Sequence, residues 1–179
     1  MTLSTSFRYR VHPSPVGDII IVAGDHGVVT LHPFEGPLYA EIARVSLAVR
    51  APLEPDNEDA NDSTCAQAAA QLDEYFAGER DTFDVALDWS NVRGFTRAAL
   101  EAVCDIPYGE TAGYGEVAIA AGSPRAARAV GTACATTPFS IVVPVHRVVR
   151  ADGSLGEYGG RPEVKQFLID VEQGYSSRT

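Results

Sequence analysis

The sequence predicts an α+β chain in two parts, and three observations carry that prediction. Short runs that alternate in the way of strands, separated by turn residues, fill the region from Phe7 to His32. Apolar residues at helical spacing then take over and recur in several later segments. Near residue 90 the composition changes from strongly acidic to balanced.

The first strands are read at Phe7-Arg8-Tyr9-Arg10-Val11, at Gly17 to Ala23, and at Val28-Val29-Thr30-Leu31 after the turn-like Gly24-Asp25-His26-Gly27. Together they make a small antiparallel sheet. Weak periodicity over residues 38–49 predicts a helix, and the prolines and acids of residues 51–62 predict a solvated loop. Helix resumes at Ser63, where Ala66, Ala69, Ala70, Leu72, Tyr75 and Phe76 share one face until Gly78 ends the run. Thr82 to Trp89 alternates again and reads as a last strand. The boundary is placed there, giving an acidic α+β domain over residues 1–90 and a second domain over 91–179. The second begins with a helix at about 94–105 and a turn at Ile106-Pro107-Tyr108-Gly109-Glu110. A helix-turn-helix pattern follows: one helix from Tyr114 to Ala121, Gly122-Ser123-Pro124 between, and a second helix from Arg125 to Cys134.

At 179 residues with 45% apolar side chains, the chain can build a genuine core in one large domain or two small ones. Met1 to Arg8 lacks the apolar run of a secretory leader, and no stretch approaches the roughly 20 apolar residues that cross a bilayer. The expectation is a soluble cytoplasmic protein with no membrane partner, and a monomer. Cys65, Cys104 and Cys134 are an odd number at wide spacings, which suggests neither a disulfide scaffold nor a zinc cluster. His12, His26 and His32 are not in ligand spacing either, so neither metal nor cofactor is expected.

The formal charge of −10 opposes nucleic-acid binding at first sight, since phosphates need Lys and Arg. Its distribution softens the objection. Residues 1–90 carry five Lys/Arg against fifteen Asp/Glu, whereas residues 91–179 carry nine of each. Arg125, Arg128, Arg147 and Arg150 fall in a stretch without any acid, so a local positive face is expected.

The most specific signal comes after the second helix, in Ile141-Val142-Val143-Pro144-Val145-His146-Arg147-Val148-Val149-Arg150. Together with Ile106 to Thr111, Tyr114-Gly115, Arg125 to Gly131 and Asp152 to Gly160, it resembles the O6-alkylguanine-DNA alkyltransferase family throughout residues 94–174. Residues 1–90 resemble that family's variable domain less distinctly. The resemblance implies a winged-helix-like second domain acting on double-stranded DNA that carries alkylated guanine. A base cannot react inside the stack and must be extruded at a cost of a few kcal/mol. By resemblance, Arg128 enters the duplex and fills the vacated space, while Tyr114 presses on the target phosphate. Arg125 lies on the same face, and the small Ala126, Ala127, Ala129 and Gly131 permit close approach. The flipped base enters a pocket walled by a strand at 141–149, with Val143, Pro144, Val145 and Val148, and closed by the glycine-rich segment holding Tyr158 and Gly159. For Arg128 and Tyr114 the alternative is an exposed helix residue and a core edge; for Gly153, Gly156, Gly159 and Gly160 it is an ordinary loop.

One position departs from the pattern. Active relatives read Pro-Cys-His-Arg, with the thiol activated by a histidine that a glutamate orients. His146 and Glu172 match those partners, and Val145 stands at the acceptor position. A branched hydrocarbon has no lone pair, so His146 and Glu172 are vestigial for transfer and are expected as a buried hydrogen-bonded pair. Thr137 stands where the family has an asparagine before Pro138, which weakens local turn bonding, and Ser140 stands where proline is frequent. Three readings follow: a non-enzymatic DNA-binding protein that flips O6-alkylguanine and presents it to downstream repair proteins; an active methyltransferase using another cysteine, Cys134; or a degenerate DNA-binding or regulatory remnant. Cys104 is read as a small core residue and Cys65 as the start of a helix where thiolate is disfavoured.

Overall fold

The computed structural model describes residues 6–57 and 59–174. Part of the chain start read above for a leader (Met1–Thr5) and one acid of the 51–62 loop (Glu58) lie outside the described residues, as do residues 175–179. The chain divides into two compact units, Met1–Asp88 and Trp89–Thr179. The α+β class holds, with the sheet in the first unit and helices dominating the second.

In the first unit, β1 (Phe7–His12), β2 (Ile19–Gly24) and β3 (Gly27–Pro33) form the expected antiparallel set, joined by β4 (Leu53–Pro55) in the order β3-β2-β1-β4. β4 pairs parallel to β1, with Phe7 opposite Leu53, so the 51–62 segment is not wholly loop. The central strand is buried along Ile19 to Ala23, which is why its sequence is a continuous apolar run and not an alternating one. One face receives α1 (Leu38–Val49), whose Val45 packs with Ile20, Val22 and Val29. Against β2 also packs α2 (Thr64–Phe76), capped by the Ser63 hydroxyl, which accepts from the Ala66 amide at 3.0 Å. Cys65 sits inside this contact and is 1% exposed. The strand read at 82–89 is absent: only Leu87 bridges to Val28, where the Val28 amide donates to Ala86 O at 2.8 Å. Gly27 permits that approach, since it adopts φ +122° and a Cβ there would lie 2.5 Å from Ala86 O.

In the second unit, α3 (Gly94–Cys104) packs against α4 (Tyr114–Ala120) and α5 (Ala127–Ala135). The second helix of the pair begins two residues later than the sequence suggests. Ala126 is its cap, and the turn before it closes with Gly122 at φ +82°. The expected strand at 141–149 is a correction of larger kind. Residues 141–144 are irregular, Val145–Arg147 is a single 3-10 turn, and only β6 (Val148–Val149) is extended, pairing parallel with β5 (Ala112–Gly113). The apolar run reflects burial, not strand periodicity, and Pro144 removes a ladder donor. Buried Ile141 is held at φ +73°, a conformation that costs a β-branched residue about 1–3 kcal/mol. α6 (Pro162–Gln173) closes the unit, started by Pro162 and ended by Gly174 at φ +76°.

Candidate nucleic-acid interface and base pocket

The helix pair presents its cations outward. Arg125 and Arg128 are exposed, as is Ala129 beside them, while Val130 and Ala133 of α5 turn into the core. Arg150 is exposed as well. Arg147 is not part of that face, contrary to the sequence reading: it is 7% exposed and committed to an internal partner. Ala126 and Ala127 are half-buried, and Gly131 faces Tyr114, where an added Cβ would stand 3.8 Å from the ring.

Tyr114 opens α4 and is half-buried, its first turn fixed by the Glu116 carboxylate, which accepts from the Gly113 amide at 2.6 Å. Its hydroxyl lies beside Gly156 in the glycine-rich loop, at φ +73°, where a Cβ would stand 3.0 Å from that oxygen. Only glycine suits both the conformation and the space. Burial raises the phenol above its ordinary value, so Tyr114 is neutral at physiological pH. Val143, Pro144, Val145 and Val148 are all buried; Tyr158 is half-buried with its hydroxyl inside the fold, and Gly159 is exposed.

Val145 is 4% exposed and begins the 3-10 turn. Next to it His146 is fully buried, and its Nε2 lies 2.7 Å from Glu172 Oε1. Burial lowers the imidazole below its ordinary value although Glu172 opposes this, so the ring is neutral; Nε2–H donates to the carboxylate and Nδ1 is the accepting atom. Glu172 also accepts from Arg147, through Nε at 2.9 Å and Nη2 at 3.0 Å, and from the Gly109 amide at 3.4 Å. Burial alone would raise this carboxyl, but the hydrogen bonds from His146 and Arg147 hold it at about 2. Arg147 further donates to Ile106 O at 2.5 Å. The cluster ties α6 to the 3-10 turn and to the 106–109 turn. It offers a poised imidazole and no nucleophile.

The three cysteine thiols are all raised above their ordinary value. Cys65 is pushed up to about 12 by burial and then by Asp56. Cys104 is exposed and not a core residue; partial burial of its sulfur, then Asp105 and Glu101, push it to about 11. Cys134 is half-buried, and burial pushes its thiol to about 11 against the opposing charge of Lys165. Thr137 replaces some of the turn bonding of the missing asparagine, accepting from the Phe139 amide at 3.2 Å.

Lys165 escaped the sequence reading. It lies at an inward position of α6 with Val164, Leu168, Ile169 and Glu172, and a lone lysine in that apolar spacing was the available signal. Among the described residues no group of three or more His, Cys, Asp or Glu side chains could hold a metal, and no helix is long and apolar enough to cross a membrane.

Comparison with known proteins matches this arrangement to one family. Residues 94–174 match the 6-O-methylguanine DNA methyltransferase, DNA binding domain, and residues 7–89 match the 6-O-methylguanine DNA methyltransferase, ribonuclease-like domain. The methylated-DNA–protein-cysteine methyltransferase of Methanosarcina acetivorans is 35% identical over 164 residues, 92% of this chain and 97% of that one. Its namesake from Mycobacterium leprae is 40% identical over 164 residues, 92% and 91% of the two chains. Among solved structures, Mycobacterium tuberculosis OGT in complex with DNA superposes with a TM-score of 0.77 at 37% identity, covering 96% of each chain. With both domain families matched in order and full-length relatives above 30% identity, the chain belongs to the 6-O-methylguanine DNA methyltransferase family.

Proposed function

We propose that this protein binds duplex DNA, extrudes O6-alkylated guanine and holds it without accepting the alkyl group. One observation carries the reading: the side chain beside the His146–Glu172 pair is a buried valine. Transfer needs an electron pair aimed at the alkyl carbon, and valine has none. What supports retained binding is the rest of the site: Arg128 exposed on α5, Tyr114 at the start of α4, and a buried apolar wall ending at Val148. Relatives of this chain are named methyltransferases and one is solved in complex with DNA. Transfer through Cys134 competes with this reading, and the raised pKa of that thiol weighs against it. The protein then serves as a sensor whose bound, bent DNA is the signal to a downstream repair system.

The test is equilibrium binding to matched duplexes with and without O6-methylguanine, followed by digestion of the DNA and quantitation of the lesion. The expected result is tighter binding to the lesion duplex with all O6-methylguanine recovered intact. Equal affinity for both duplexes would reduce the protein to a remnant; loss of the lesion would make it an enzyme.

A further inference from the structure

Lys165 is a buried cation that neither base extrusion nor alkyl transfer employs. It is 1% exposed, and its ammonium donates to Val148 O at 2.6 Å and to Leu155 O. The same nitrogen stands 5.8 Å from the centre of the Tyr114 ring. Three separate segments thus meet at one charge: β6 in the pocket wall, the 150–161 loop, and the start of α4.

Removing an ammonium from water is costly, so a lysine persists there only where its protons are well placed. The loop bonds described within residues 150–161 are local ones. Arg150 N donates to Ser154 O at 2.9 Å, Gly153 N to Arg150 O at 2.9 Å, and Arg161 N to Tyr158 O at 2.8 Å. These bonds shape the turns of the loop without joining it to β6. The Lys165 bridge joins Leu155 to Val148, one residue before Gly156 lies against the Tyr114 hydroxyl.

We propose that Lys165 is a positioning residue that latches the 150–161 loop to Val148 and Tyr114, and so sets how long an extruded base is retained. The residence-time part rests on the base-holding function proposed above; the latch itself does not. Burial lowers the ammonium to about 8, with Cys134, Arg150, Glu157 and His146 among the charged or titratable neighbours, so it stays protonated in mildly acidic buffer.

Lys165→Met keeps the length and packing of the stem and removes the donors. In the full chain without DNA, amide hydrogen exchange at Arg150 and Gly153, whose amides donate to backbone carbonyls of the loop, should speed up about tenfold or more once the latch is lost, with α3 amides unchanged. Dissociation from lesion duplex should accelerate about tenfold, with association within about twofold. Unchanged loop exchange overturns the latch. Should the variant loosen α3 too, the wild-type chain decides: in mildly acidic buffer the Lys165 Nζ protons must give a nitrogen-correlated signal with Overhauser contacts to Leu155, and a signal lost to rapid solvent exchange overturns the proposal. Neither exchange measurement needs DNA. Equal affinity for lesion and plain duplex therefore removes the base-holding function and leaves the latch standing.

Discussion

Under the proposed function, the side chain at position 145 separates holding a base from repairing it, and His146 and Glu172 beside it stay paired. His146 Nε2 is 2.7 Å from Glu172, which makes the acceptor position the missing part. Val145→Cys is predicted to gain methyl transfer, read as one labelled methyl per protein on a denaturing gel after incubation with O6-methylguanine duplex; an unlabelled variant that still binds the lesion would show that the site has decayed beyond one residue. Arg128→Ala is predicted to abolish extrusion, because the gap left by the base has no filler, whereas Tyr114→Phe retains most of the steric push. A 2-aminopurine probe opposite or beside the lesion reads both, and unchanged fluorescence in Arg128→Ala counts against the assigned finger. Residues of this kind were legible in the sequence because their chemistry is carried by type and order. Arg147 was not: beside an apolar run it reads as a surface cation, and only the fold brings it to Glu172, 25 residues further on.

Elements were legible where periodicity decides and misread where burial does. β1, α1, α2 and α3 follow from alternation or helical spacing, and β2 and β3 from short apolar runs bounded by turn residues, whereas residues 141–149 are apolar because they are enclosed and form a 3-10 turn after Pro144. The 82–89 segment alternates without a neighbouring strand to pair with beyond Val28. What holds the 3-10 turn is α6, through Glu172. Glu172→Gln removes the charge that His146 and Arg147 share, leaving a buried guanidinium uncompensated, and is predicted to cost about 3–5 kcal/mol in urea denaturation. The pH dependence has a definite sign. The folded carboxyl sits at about 2 against an ordinary 4.5, so its contribution is complete above pH 4.5 and is lost as pH falls from there towards 2. Acid titration of the wild type should show that loss and Glu172→Gln should lack it; parallel acid curves would contradict the assignment.

For the whole molecule, charge sets how binding depends on conditions. The excess of −10 lies in residues 1–90, and the outward cations near the helix pair are Arg125, Arg128 and Arg150. With Arg128 assigned to the base stack, two phosphate contacts, from Arg125 and Arg150, predict a log affinity against log salt slope of roughly −2 for plain duplex. A slope near zero in filter binding over a salt series would mean that these arginines do not meet the backbone. Above this general attraction stands the claim that the pocket grips a lesion it cannot repair. The most direct measurement incubates the purified wild-type protein with excess duplex carrying O6-methylguanine labelled in its methyl group, then counts label on the denatured protein by gel and intact mass. No label on the protein at any time, with the lesion duplex still bound in preference to plain duplex, is the predicted result. One methyl per chain, found on Cys134 or anywhere else, would contradict it.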